Sequence, residues 1–332
     1  MSRQHVRDGP RFSTMLKYKN RDGLIPNTLA FSYIGLSFPL AMALLASNVW
    51  PLGIVWLAHT LIIAAYLLHE CAHNTLFADN RDNERAGAIL SWWLGSACTP
   101  YRQLRDKHFR HHVQREDILG FNAHALMEKH PALHRGLRVL TFFHVPAFEI
   151  YTHLLAAFAP FFVSGLEAHK RRVMLVLSSR IAFFGLLFLI DPWIPVMYFV
   201  AWMLFLWVLN LMDAMQHSYE ISYSLLQPSQ PPRFDAAYEE ANTYTNLLSS
   251  RYPAINLLVL NFCYHNAHHR KPTEPWYRLP ALHWACYPEA CEQVIPLREQ
   301  LQRFHRYRLR RLQVTSVIDD AGVDGVSFLV GV

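Results

Sequence analysis

Polar and apolar positions along this chain fall into long blocks rather than the strict alternation of strands. Four blocks are apolar almost throughout: residues 28–47, 52–68, 173–190 and 193–212. Each holds about 17–20 residues, enough at ~1.5 Å rise per residue to cross a hydrocarbon layer of about 30 Å. Pro39 falls inside the first block, where a kink is tolerated because neighbouring groups re-satisfy the freed backbone. Only residues 48–51 and 191–192 separate the members of each pair, so the spans are expected to pair as two helical hairpins. Two further stretches, 86–99 and 139–163, are apolar but interrupted, the second by His144, Pro146, Glu149 and His153. Both fit helices lying in the membrane interface. From Val314 onward no helical pattern is visible. The pattern therefore predicts an all-α membrane protein with an N-terminal segment 1–27, a membrane domain 28–290 and a C-terminal tail 291–332.

Composition strengthens the membrane reading. Hydrophobic residues make up 52 % of the chain and charged residues 17 %, against about 25 % charged in soluble proteins. A net charge of +6 and a pI near 9.1 would suit a nucleic-acid binder, but the apolar blocks argue against that class. The positive excess fits a face lying against anionic lipid. Six Lys and Arg precede the first block, thirteen lie between Cys71 and Arg172, and eleven follow the fourth block. The two short turns hold none, and Arg180 completes the set inside the third block. By the positive-inside rule both termini and the large middle segment are expected in the cytoplasm. Cys71, Cys98, Cys263, Cys286 and Cys291 form no C-x-x-C pair and are odd in number, so reduced, structural thiols are expected. The polar, basic first 28 residues do not resemble a secretory signal peptide.

Against this apolar background the histidines carry the chemistry. Three clusters recur with helical spacing: His69 and His73; His108, His111 and His112; His265, His268 and His269. Positions i, i+3 and i+4 share a helix face, so each cluster aims its imidazoles one way. Asp213 and His217 repeat the i, i+4 spacing where the fourth block ends. The first cluster ends the second block and the other two lie in the expected cytoplasmic segments, so all four gather at one membrane face. Nine imidazoles exceed the four ligands that fill a zinc site. They suit two metals of about five ligands each. Two redox metals held by imidazoles, without a carboxylate-rich set, imply oxygen activation rather than hydrolysis.

The three boxes, their order and their relation to the paired spans resemble the integral-membrane fatty-acid desaturase and hydroxylase superfamily. The stretch from Tyr264 to His283, reading YHNAHHRKPTEPWYRLPALH, is especially similar to the third-box region of acyl desaturases. The resemblance covers about residues 28–290. It implies a di-iron centre ligated by His69, His73, His108, His111, His112, His265, His268 and His269, with His217 matching the extra histidine that follows the fourth span. Acyl-CoA desaturases carry an asparagine where this chain has Asp213, which is taken here as a further metal ligand. The short first box resembles acyl-lipid desaturases, and His265 in place of glutamine is unlike front-end desaturases. The resemblance further implies oxygen as co-substrate and an acyl-lipid, acyl-CoA or acyl-carrier-protein substrate. With no His-Pro-Gly-Gly haem motif in the chain, electrons are expected from a separate ferredoxin-type or cytochrome-type donor.

The superfamily also contains hydroxylases and ketolases acting on alkane, acyl or carotenoid substrates, which share the boxes. A membrane zinc hydrolase is the alternative from another class. Around the boxes, Glu70, Asn74, Glu116, Asp117 and Asn266 are candidates to orient ligands through the second ring nitrogen. His59, ten residues before His69 and so about 15 Å away, is expected to hydrogen-bond a neighbouring helix. Arg180 is expected to snorkel or find an acidic partner. Glu149 and His153 are candidate headgroup contacts or site-lining residues. Trp202, Phe205 and Trp207 are expected to pack or to anchor the interface, with the wall of an acyl tunnel as the alternative.

Overall fold

The computed structural model describes residues 17–119, 123–219, 222–224, 228, 230–287 and 293–312. Cys291, the tail from Val314 and the first sixteen residues lie outside them. In chain order the helices are α1 (Leu24–Leu45), α2 (Trp50–Ala72), α3 (Asn80–Leu94), α4 (Tyr101–Gln114), α5 (Ala123–Lys129), α6 (Pro131–Phe142), α7 (Ala147–Phe162), α8 (Lys170–Ile190), α9 (Trp193–Asp213), α10 (Ala236–Ala241), α11 (His265–Arg270), α12 (Leu279–Cys286) and α13 (Leu297–Tyr307). Two three-residue strands, β1 (Asp117–Leu119) and β2 (Ser222–Ser224), pair in parallel with Asp117 opposite Ser222. The protein is thus largely α-helical, and four of its helices are long and apolar enough to span a membrane.

The apolar blocks form helices although Pro39 removes one ladder bond inside α1, and other prolines enter where they are tolerated. Pro51 and Pro131 sit in first turns, where a backbone N–H has no helical partner to lose. Asp79 caps α3 by accepting from Arg81 N at 2.8 Å, and Asp235 caps α10 by accepting from Tyr238 N at 2.9 Å. Gly95 closes α3 in the left-handed region at φ 87°, which a residue without Cβ adopts freely.

Helix α2 is the centre of the molecule. It packs against α1, α3 and α9, and 67 % of its apolar window is buried, against 11 % for the window in α8. The contact with α1 is close enough that a Cβ at Gly53 would lie 2.8 Å from Leu45 N. Small residues at a helix crossing allow this approach, and in lipid such packing is a main source of helix association. The core continues through Leu57, Leu61 and Leu67 of α2 to Phe205 and Leu209 of α9.

Two expectations change. The stretch 139–163 is two helices rather than one: the chain breaks between α6 and α7, with His144 left-handed at φ 61° and Pro146 preceding α7. The residue before a proline is kept out of the helical region, which places the break there. Helix α2 also runs past residue 68 to Ala72, so the first histidine cluster occupies its last turn. Beyond residue 290, α13 packs on α9, and Gln300 Nε2 donates to Leu247 O and Ile295 O at 3.0 and 2.7 Å.

Candidate metal centre

Each histidine box has its own local frame. His69 sits on the last turn of α2 and His73 caps it, while Asn74 turns the chain at φ 53°. Asparagine tolerates that left-handed conformation. Box two occupies the last two turns of α4, which Arg115 ends at φ 57° with its N–H returned to His111 O. Box three is almost the whole of α11, whose first five residues are all buried. It is entered through two consecutive left-handed residues, Leu260 and Asn261. A bulky residue held there stores strain that the surrounding structure must maintain. Asn261 Nδ2 donates to Trp276 O at 3.3 Å.

The nine predicted histidines converge into two groups, although they come from segments up to 200 residues apart. One holds His69, His73, His108, His112 and His268; the other holds His111, His217, His265 and His269. Within each group the potential ligand atoms all lie within 4.8 Å of one another. In the first, His108 Nε2 is 2.6 Å from His73 Nε2 and 3.1 Å from His112 Nε2, which is 3.2 Å from His268 Nε2. In the second, His217 Nε2 is 3.1 Å from His111 Nε2 and 2.8 Å from His265 Nε2.

Hydrogen bonding alone cannot satisfy this arrangement. A neutral imidazole nitrogen carries either one proton or one lone pair, yet His108, His112 and His217 each face two other nitrogens through a single Nε2. Two ligands bound at ~2.1 Å and at right angles stand about 3.0 Å apart, which matches these spacings. Burial holds His73, His108, His112, His217, His265, His268 and His269 well below the usual imidazole range, with neighbouring histidines adding to the effect. Burial takes His111 down to about 4, against a backbone hydrogen bond at Glu116 that opposes it. Neutral imidazoles with converging lone pairs are the form that binds a metal ion. The donor set therefore fits two metals, one with five imidazoles and one with four.

The surrounding polar residues divide unevenly. His111 Nδ1 donates to Glu116 O at 3.0 Å, and Asp117 Oδ1 lies 3.9 Å from the same nitrogen. Glu70 stands 3.8 Å from His69 Nδ1, while its Oε2 accepts from Thr75 Oγ1 and Trp276 N at 2.6 and 3.1 Å. It braces the chain after box three against box one. Asn74 shapes its turn, and its carbonyl accepts from Lys19 at 3.1 Å. Asn266 is buried beside box three, its backbone N–H reaching Thr245 Oγ1 at 3.4 Å.

Asp213 stands outside the two histidine groups. α9 ends at Asp213, so the backbone from there to His217 is not a continuation of the helix. Asn246 Nδ2 takes the Met212 carbonyl at 2.9 Å, and Gln216 N bonds one residue short of the helical partner, to Asp213 O at 3.2 Å. His217 is instead held as a bridge partner of Thr243. Asp213 lines a cavity beside the site.

Sequence reasoning missed Glu239 and Thr243. Glu239 Oε1 accepts from His269 Nδ1 at 2.8 Å and Oε2 accepts from Arg115 Nε at 2.8 Å. Burial raises the Glu239 carboxyl, and Arg115 opposes that shift. Thr243 Oγ1 is 3.5 Å from His217 Nδ1. The Glu239-Glu240 pair offers no spacing signal in the sequence, since its partners are brought in only by the fold.

A cavity of about 130 Å³ reaches both groups. Its walls are apolar, among them Ala65, Leu68, Phe205, Leu206, Leu209 and Phe262, and Ser96, Arg105, Lys107 and His153 also border it. Phe205 thus lines the cavity, whereas Trp202 Nε1 donates to Leu94 O at 3.1 Å and Trp207 packs edge-on to Phe304. His153 Nδ1 donates to Glu149 O at 2.9 Å. His59 bonds Tyr33 of α1 as expected, and Arg180 faces Tyr198 of α9.

The sequence model of the family described as Fatty acid desaturase matches residues 48–301. The chain belongs to that family, and its histidine clusters and four long apolar helices accord with the di-iron, transmembrane character of the desaturase and hydroxylase superfamily. No curated protein sequence matches it.

Proposed function

We propose that the protein is a membrane oxidoreductase that uses a di-iron centre and oxygen to introduce a double bond into a lipid acyl chain. The observation that carries this reading is the apolar cavity leading to both histidine groups. Two redox irons held there would supply oxygen activation, with electrons from a separate donor protein. The nine imidazoles hold the metals. Phe205, Leu206, Leu209 and Phe262 hold a methylene chain beside them and exclude water. Arg105 and Lys107 favour an anionic end on the substrate, such as a phosphate or carboxylate.

The same proposal arranges the spans as two hairpins, with the metal-binding segments forming a cap on the cytoplasmic face and both termini on that side. Reporter fusions after Ser47 and Ile190 then read outside, and fusions after Arg172 read inside. A cytoplasmic signal at Ser47 would break the shared-face arrangement. The reaction is tested by lipid profiling of cells with and without expression. A saturated acyl species should fall in favour of one lighter by about 2 Da, with oxygen and reductant consumed. Products heavier by about 16 Da alone would move the assignment to hydroxylation, and product without oxygen would exclude both.

A further inference from the structure

One short segment that carries no box histidine reaches two of the four imidazoles in the smaller group, His269 and His217, and the residue that ends the box-two helix. Glu239, on α10, stands one helical turn before Thr243. Its two carboxylate oxygens are divided between His269 Nδ1 of box three and Arg115 Nε, each at 2.8 Å. Arg115 directly follows the box-two helix, and its Nη1 donates to Phe234 O at 2.9 Å, just before the Asp235 cap of α10. Thr243 Oγ1 donates to Glu239 O at 2.6 Å and lies 3.5 Å from His217 Nδ1. The backbone of Thr243 in turn forms an isolated antiparallel bridge with that of His217. In the larger group His69, His112 and His268 have no hydrogen-bond partner at Nδ1 among the described residues, and in the smaller group His265 has none.

We propose that Glu239 is the positioning residue of the four-histidine metal position, fixing His269 with its proton on Nδ1 and its Nε2 lone pair toward the metal. The proposal rests on reading the histidine groups as a di-metal centre. An imidazole offers Nε2 to a metal only when its proton sits on Nδ1, and a carboxylate at Nδ1 both holds that tautomer and strengthens the other nitrogen as a donor. His269 Nε2 is buried without a hydrogen-bond partner, as this tautomer requires. Glu239 also lies close enough to His112 and His269 to be a ligand itself. Both of its oxygens are already engaged, which assigns it to orientation. Through Arg115 the same carboxylate couples the end of box two to His269 of box three at 2.8 Å, whereas in the larger group the Glu70 carboxylate stands 3.8 Å from His69 Nδ1.

The test uses the full-length protein in lipid nanodiscs, loaded anaerobically with Fe²⁺ and then challenged with a chelator. Wild type retaining two irons establishes the di-metal reading; failure to bind two sinks that reading independently of Glu239. Glu239→Ala is expected to release one iron at about 10–100-fold lower chelator concentration while the second stays bound. Glu239→Gln, which keeps an acceptor toward His269, is expected to fall between the two. Loading with Co²⁺ should change the visible absorption of one site only in Glu239→Gln. Coincident release of both irons in Glu239→Ala and wild type would overturn the proposal. Should Glu239→Ala fail to fold, Glu239→Gln decides: wild-type release and an unchanged Co²⁺ spectrum would make Glu239 a structural brace and end the proposal.

Discussion

The two histidine groups are neighbours, but they are built differently. The five-histidine group takes every member from a box carried on or capping a helix: α2, α4 and α11. Helical spacing alone aims these rings inward. The four-histidine group takes His217 from the bridge that follows the turn after α9, and three of its outer nitrogens face Glu116 O, Thr243 Oγ1 and the Glu239 carboxylate. Among the described residues the outer nitrogen has no hydrogen-bond partner at His69, His112 and His268 of the larger group, and at His265 of the smaller. The difference teaches that the smaller group leans more on contacts the fold supplies from outside the boxes.

Removing one ligand from each group is the strongest way to break that comparison. His217→Ala leaves three imidazoles in its group, and is expected to lose about one iron per chain and all detectable turnover. His268→Ala leaves four, and should retain more iron while turnover falls by about 100-fold or more. Iron analysis and oxygen consumption on the same reconstituted samples measure both. Equal or reversed iron retention would show that the groups do not differ as their geometry says.

Asp213 sharpens the boundary between ligand and cavity wall. Standing outside both groups but lining the cavity next to His217, Asp213→Ala should lower turnover by about 10-fold while iron content stays near wild type. Asp213→Asn should keep more of the activity, because an amide still holds a bound water. Loss of iron in Asp213→Ala would return the residue to the ligand set.

A smaller effect follows from the neutral imidazoles of the metal-free protein. His111 titrates near 4 when folded and near ~6.5 when unfolded. Between these values the unfolded chain holds the extra proton, so stability falls as pH drops from about 6.5 toward about 4 and then levels for this group. The other buried histidines shift in the same direction. Thermal unfolding of metal-free protein across that range should show a falling midpoint. A midpoint that rises as the pH is lowered would contradict the burial of these rings.

The spans and the eight box histidines were legible because their signals are local: apolar length, and imidazoles repeated at helical spacing. The end of α9 at Asp213 is set by no local pattern. Nothing between Met212 and His217 is a glycine or proline that would stop a helix; the Met212 carbonyl is instead taken by Asn246, thirty-four residues later. Glu239 was illegible in the same way, since its partners lie 30 and 124 residues off along the chain. The break between α6 and α7, by contrast, has a local signal in Pro146, one of the residues that interrupt the apolar stretch.

The smallest expected effect comes from a histidine on the same helix as the first box. His59 and His69 both belong to α2, ten residues and about 15 Å apart. His59 belongs to neither metal group, and its ring nitrogen Nδ1 meets Tyr33 OH across the α1–α2 contact. Replacing it by leucine removes one hydrogen bond and leaves the tyrosine hydroxyl to find another partner, a cost of about 1 kcal/mol. Leucine is compatible with the apolar surroundings of α2 and with its helix propensity. His59→Leu should therefore shift the unfolding midpoint slightly, with two irons per chain and turnover unchanged. A loss of iron or a tenfold fall in turnover would mean that α2 transmits the state of its middle to its last turn, and the division between structural and metal-binding histidines along this helix would have to be abandoned.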